Sequence, residues 1–130
     1  MTFDVGPDGT VWTGADTSMP HHSLARLDDA GWTVFTAADG VPWWGNWKQM
    51  GGVLIRDLEV APDGSAWVNA AGFNGLARFD GQTWAPYLAG RYISDFDIAP
   101  DGSVWAVAQE PGFSSGNTYV IRPEAVATID

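Results

Sequence analysis

Three stretches decide the fold: Phe3-Asp-Val-Gly-Pro-Asp-Gly-Thr-Val-Trp12, Leu58-Glu-Val-Ala-Pro-Asp-Gly-Ser-Ala-Trp67 and Phe96-Asp-Ile-Ala-Pro-Asp-Gly-Ser-Val-Trp105. Each runs apolar, acidic, apolar, then through a Pro-Asp-Gly turn into a segment carrying Trp. A second module follows each one: Leu24-Ala-Arg-Leu-Asp28, Leu76-Ala-Arg-Phe-Asp80, and a degraded Val120-Ile-Arg-Pro123. Trp32 and Trp84 stand four residues beyond Asp28 and Asp80. The tryptophans at 12, 67 and 105 are 55 and 38 residues apart, so the base repeat is about 40 residues, with an insertion in the first interval.

Working outward, each repeat reads as four strands, A to D. Strand A alternates apolar and acidic, with Asp4, Glu59 and Asp97 between its apolar residues. Pro-Asp-Gly makes the A–B turn: Pro presets the first central position, Asp bonds locally to the backbone, and Gly supplies positive φ. Strand B carries the repeating Trp and strand C the Leu-Ala-Arg. Strand D carries Trp32-Thr-Val-Phe35 or Trp84-Ala-Pro-Tyr87, where Pro86 removes a ladder donor as only an edge strand tolerates. The expected fold is all-β: a β-propeller of three four-stranded antiparallel blades, either a partial propeller or one half of an oligomeric ring. Blade one spans 1–38, an inserted inter-blade loop 39–55, blade two 56–93 and blade three 94–130. In such a stack the repeating Trp12, Trp67 and Trp105, with Trp32 and Trp84, read as packing between blades.

Composition agrees. In 130 residues there are eight Trp and sixteen Gly, as suits many short strands joined by tight turns. The net charge of −10 argues against phosphate-backbone binding and against an anionic membrane surface, both of which need clustered Lys and Arg. With no cysteine there is no disulfide framework or thiolate chemistry, and the compartment stays open. No apolar run approaches a transmembrane span, and the amino-terminal residues do not read as a signal peptide.

With these residues in view, the chain resembles the two-component-regulator propeller repeat. That family's blades carry an Asp-x-x-Gly-x-x-Trp unit, then Gly-Leu-x-Arg-Phe-Asp-Gly and an aromatic strand. The match here is Asp63-Gly-Ser-Ala-Trp67 with Gly75-Leu-Ala-Arg-Phe-Asp-Gly81 and Trp84, and similarly Asp8 to Trp12 with Leu24 to Trp32. Ala38-Asp-Gly-Val-Pro42 looks like the family's inter-blade linker. Blade three departs, with Arg122-Pro123-Glu124 in place of Arg-Phe-Asp-Gly and no strand-D Trp. The resemblance implies a ligand-sensing or adhesive propeller, extracytoplasmic if part of a longer chain. More distantly it extends to streptogramin lyase-like propellers, one of which is an enzyme.

Antiparallel order sends A–B and C–D turns to one end and B–C and D–A loops to the other. The first end is uniform. The second varies, and long loops on a rigid scaffold commonly carry binding. The expected ligand-binding residues there are Trp43, Trp44 and Trp47 of the insertion, His21 and His22, Phe73, Arg91 and Tyr92, and Phe113. The three inserted tryptophans read either as an aromatic platform for a sugar, peptide or apolar ligand, or as a cover for their own blade. His21 and His22, adjacent on an extended chain, point opposite ways and lack metal-ligand spacing, so a solvated loop pair is the plainer reading. Asp4, Glu59 and Asp97 either ring a central channel or bond to neighbouring backbone and to Arg26, Arg78 and Arg122.

No Cys, Gly-x-Ser-x-Gly or phosphate loop is present, so the expectation is a non-catalytic binding propeller for a carbohydrate or peptide, with no cofactor or metal. The alternatives are a lyase-like enzyme using one of the histidines as base, or a purely structural self-assembling segment. Three blades leave two apolar flanks, so the expected partners are a second copy or the remaining blades of a longer propeller, beside a small-molecule, glycan or peptide ligand. Nucleic acid and membrane insertion are not expected.

Overall fold

The computed structural model describes residues 2–14, 16–17, 24–35, 53–71, 75–109, 116–122 and 125–129. They form β strands and turns; no helix occurs among the described residues, so none there is long and apolar enough to cross a membrane. The strands make three antiparallel sheets. The first sheet holds β1 (Thr2–Val5), β2 (Val11–Gly14), β4 (Leu24–Asp28) and β5 (Gly31–Val34), in that order. The second is ordered β3 (Asp16–Thr17), β6 (Val53–Val60), β7 (Ala66–Ala71), β8 (Leu76–Phe79), β9 (Trp84–Tyr87). The third runs β10 (Tyr92–Ile98), β11 (Val104–Gln109), β12 (Gly116–Arg122), β13 (Ala125–Ile129). Within each repeat the chain is a meander, as short strands between tight turns dictate.

The A–B turns fold as their sequence requires. Gly9, Gly64 and Gly102 stand at φ near +88°, and their N–H groups donate to the carbonyls of Gly6, Ala61 and Ala99. Asp8, Asp63 and Asp101 each accept the N–H two residues on, from Thr10, Ser65 and Ser103, at 2.9 Å. Pro86 lies in β9, the edge strand of its sheet, where no ladder donor is needed.

Register fixes which side chains share a face. Asp4, Trp12 and Arg26 are opposite one another in the first sheet, as are Glu59, Trp67 and Arg78 in the second. Asp97, Trp105 and Val120 hold those positions in the third. This is the front face of each sheet; Val5–Val11–Leu27–Trp32, Val60–Ala66–Phe79–Trp84 and Ile98–Val104–Ile121 mark the back faces. The front of the first sheet packs on the back of the second: Trp12, Leu24 and Phe35 meet Ala66, Val68, Ala77 and Phe79, with Trp84 at the margin. The front of the second packs on the back of the third, where Trp67 and Leu76 meet Phe96, Val104, Ala106, Tyr119 and Ile121.

Packing therefore holds for Trp12, Trp67 and, in part, Trp84, but not for Trp32 and Trp105. These two are 61% and 41% exposed. The reason is positional: Trp32 lies on the back of the first sheet and Trp105 on the front of the third, the two faces that no neighbouring sheet covers among the described residues. Phe3, Val5 and Val34 are exposed beside Trp32, and Val107 beside Trp105.

Two of the three strand-A carboxylates, Asp4 and Asp97, bond to backbone. Asp4 accepts the Val5 N–H through Oδ1 and, through Oδ2, the Val60 N–H of the second sheet at 2.8 Å. Asp97 Oδ1 takes the Ile98 N–H at 2.8 Å. The arginines pair with turn aspartates instead, Arg26 with Asp28 at 3.5 Å and Arg78 with Asp63 at 3.3 Å. Arg26 also lies over the rings of Trp12, Phe35 and Phe79 at 5.5–5.6 Å.

Two strands start earlier than the repeat implies. β6 begins at Val53, inside the expected insertion, and β10 at Tyr92, so Asp57 and Asp95 lie within strands and not before them. In both, the register shifts by one residue, between Ile55 and Asp57 and between Ile93 and Asp95, leaving Arg56 and Ser94 as the extra residues of two matching β-bulges. A pairing that no repeat element announces, β3 on β6, joins Asp16 to Leu54 and Thr17 to Val53.

Candidate functional site

The ends of the sheets that carry B–C and D–A connections gather the starts of β1, β6 and β10 and the end of β7. A cleft of about 440 Å³ opens there, lined by Thr2, Ile55, Arg56, Asp57, Asn69, Ser94 and Asp95. Both bulge residues reach it. A bulge takes a residue out of the ladder and re-aims its side chain, which is how an Arg inside a strand comes to lie at a cleft.

Arg56 Nη1 donates to the Tyr92 hydroxyl at 2.6 Å, and its guanidinium stands 5.4 Å from the Tyr92 ring centroid. Ser94 Oγ donates to the Val107 carbonyl at 3.0 Å. Asn69 is buried and its Nδ2 donates to the Ile93 carbonyl at 3.2 Å, tying the second sheet to the third under the cleft. Beside it, Arg91 Nε donates to the Tyr119 hydroxyl at 3.1 Å and its guanidinium lies 5.2 Å from that ring. The Tyr119 ring is buried, whereas Tyr92 is 42% exposed, so Tyr92 offers its ring to solvent while Tyr119 anchors Arg91.

Carboxylates give the cleft its charge. Asp57 accepts the Leu58 N–H at 2.9 Å and Asp95 the Phe96 N–H at 2.9 Å. Burial above all, with the nearby carboxylates of Asp95, Asp97 and Asp4, holds Asp57 above the usual range despite the opposing Leu58 bond. Glu59 is pushed up to about 8, first by burial, then by Asp57, an Asp97 hydrogen bond, and the charges of Asp97 and Asp4. Among the described residues, no group of three or more His, Cys, Asp or Glu is disposed to hold a metal ion.

At the opposite end the clefts are bounded by turns. One of about 690 Å³ is edged by Asp8, Gly9, Thr10 and Leu27 to Ala30. Asp8, Asp80 and Asp101 are held below the usual carboxylate range by the turn N–H groups and hydroxyls they bind: the Thr10 backbone for Asp8, the Thr83 backbone for Asp80, and the Ser103 hydroxyl for Asp101. These acids serve their turns.

Of the expected binding residues, Arg91 and Tyr92 are on the described surface and at the expected end. They diverge there, Arg91 onto Tyr119 and Tyr92 onto Arg56. Trp43, Trp44, Trp47, His21, His22, Phe73 and Phe113 lie outside the described residues. Sequence reasoning missed Arg56, Asn69 and Ser94. The available signal was alignment of Arg56-Asp57 with Ser94-Asp95, two equivalent pairs ahead of the conserved spacing of the repeat. No family model, curated protein or solved structure matches this chain.

Proposed function

We propose that the three sheets are blades of a β-propeller and that its loop-bearing end binds a carbohydrate or peptide without transforming it. The propeller reading is supported by the constant direction of stacking, front face onto back face, and by strand A of one repeat, β1, bonding to strand A of the next, β6, through Asp4 and the Val60 N–H. The binding reading rests above all on the cleft, where a guanidinium, a hydroxyl and carboxylates face one space, with the exposed Tyr92 ring held against that guanidinium. Such a set can stack on a sugar ring or an aromatic side chain while donating and accepting hydrogen bonds. The inserted Trp43, Trp44 and Trp47 precede β6 in sequence by six to ten residues.

Glycan and peptide arrays probed with the full chain test this, compared with Arg56→Ala, Tyr92→Ala and a triple Trp43/Trp44/Trp47→Ala variant. Binding that weakens at least tenfold in the cleft variants supports the site. Binding of equal strength in all of them removes it.

A further inference from the structure

We propose that two copies of this chain pair head to tail, the front face of the third sheet of each copy covering the back face of the first sheet of the other, to close a ring of six sheets. The inference draws on the propeller reading for closure and is independent of what the cleft binds.

Both contacts between sheets within the chain run in one sense, front onto next back. Among the described residues, one front and one back are left over. The leftover front presents Asp97, Trp105 and Val120 where the covered fronts have Asp4, Trp12 and Arg26, or Glu59, Trp67 and Arg78. The leftover back presents Val5, Val11, Leu27 and Trp32 where the covered back of the second sheet has Val60, Ala66, Phe79 and Trp84. Each open face is thus built for the other, and a second copy supplies both at once. The exposure follows this division: Phe3, Val5, Trp32 and Val34 on one side, Trp105 and Val107 on the other. Apolar surface gathered into two such patches is characteristic of an interface. Six sheets lie within the usual blade range, and two heterologous contacts related by a twofold axis close without a free end.

One hydrogen bond carries the idea to atoms. Asp4 spends Oδ1 on its own strand and Oδ2 on the Val60 N–H of the adjoining sheet. Asp97 has the same position and the same first bond, Oδ1 to the Ile98 N–H. In the paired assembly its Oδ2 meets Val5 of the second copy, which holds in the first sheet the ladder position of Val60 in the second; the Val5 N–H, bonded to Asp4 Oδ1 within its own chain, is then shared between the two carboxylates. Glu59, one methylene longer, departs from this pattern: its Oε2 is buried without a hydrogen-bond partner.

Light scattering on the full chain, with Trp32→Asp and Trp105→Asp, tests the pairing. Both residues are exposed in the single chain, so strand content by circular dichroism is retained; Phe3→Asp and Val107→Asp repeat the comparison from other exposed positions. The expected masses are twice 13.9 kDa for the unsubstituted chain and 13.9 kDa for each variant alone. An equimolar mixture of Trp32→Asp and Trp105→Asp, at high concentration, recovers the doubled mass, because one of the two contacts then joins two intact faces. A single-chain mass for the unsubstituted protein, which is the result if these faces await other blades, overturns the proposal. So does a mass above two chains, a doubled mass surviving in either variant (same-face pairing), or a mixture of folded variants that stays single. A single chain that still binds its array ligand sinks the pairing alone; a paired chain with no ligand sinks the binding reading alone.

Discussion

Replacing Trp12 with Ala tests the packing on which both proposals stand. Trp12 is 2% exposed and stacks on Phe35 at 5.3 Å with 9° between planes. It also meets the edges of Phe79 and Trp84 at 5.6 and 6.3 Å, with Arg26 over its ring. Burying about 200 Å² of ring at about 25 cal/mol per Å² is worth roughly 5 kcal/mol, part of which Ala retains. Measured losses for buried Trp→Ala are roughly 3–5 kcal/mol, so about 4 kcal/mol is expected here. With a urea m-value of about 2 kcal/mol/M, the midpoint falls by about 2 M. Urea titration followed by circular dichroism, at dilution where chains are apart, gives the number. Trp32→Ala is the control: at 61% exposure it loses less than about 1 kcal/mol under the same conditions. A loss below about 1 kcal/mol for Trp12→Ala, or equal losses for the two variants, refutes the assignment of Trp12 to a sheet–sheet core.

Other outcomes follow from the same geometry. Glu59 binds its proton more tightly folded than unfolded, so its contribution is full below its ordinary 4.5 and is lost as pH rises through about 8. Glu59→Gln should flatten the fall in melting temperature across that window and raise it by a few degrees at the alkaline end, a modest gain because the carboxyl is partly solvated. Parallel slopes for the two proteins contradict this. Gly75 has φ +125°, and a Cβ there meets the Tyr87 carbonyl oxygen at 2.8 Å, so Gly75→Ala should cost on the order of 1–3 kcal/mol in denaturant titration. An unchanged midpoint shows that the position is not constrained as described. Asn69→Leu strips the Ile93 carbonyl of its donor and should cost roughly 1–3 kcal/mol in thermal unfolding. Stability equal to the parent sinks the claim that Asn69 ties the second sheet to the third.

Much of this was legible in the sequence because local chemistry writes it there. Pro-Asp-Gly specifies a turn with positive φ at Gly9, Gly64 and Gly102 through two bonds made within five residues, and alternation sets the face of each strand-A side chain. The exposure of Trp32 and Trp105 was not legible, since burial is a property of a neighbour and the repeat says nothing of which sheet lacks one. The bulges at Arg56 and Ser94 were hidden for another reason. Their residues are polar and ahead of the alternating pattern, so a strand that begins at Val53 or Tyr92 looks like loop until its partner ladder is in place. The two-residue pairing of Asp16 and Thr17 with β6 is shorter than any periodicity can register. The arginines misled through chemistry: Arg26 and Arg78 had acids available both on strand A and at the turns, and the turn acids won.

The paired bulges bear on how this molecule changes over evolutionary time. The extra residue in each, Arg56 or Ser94, forms no cross-strand pair, so exchanging it leaves the registers of β6 on β7 and β10 on β11 as they are. Two codons can therefore alter the charge and reach of the cleft while the scaffold around them stays constant, and under the proposed binding role selection for a new ligand would find its first substitutions there.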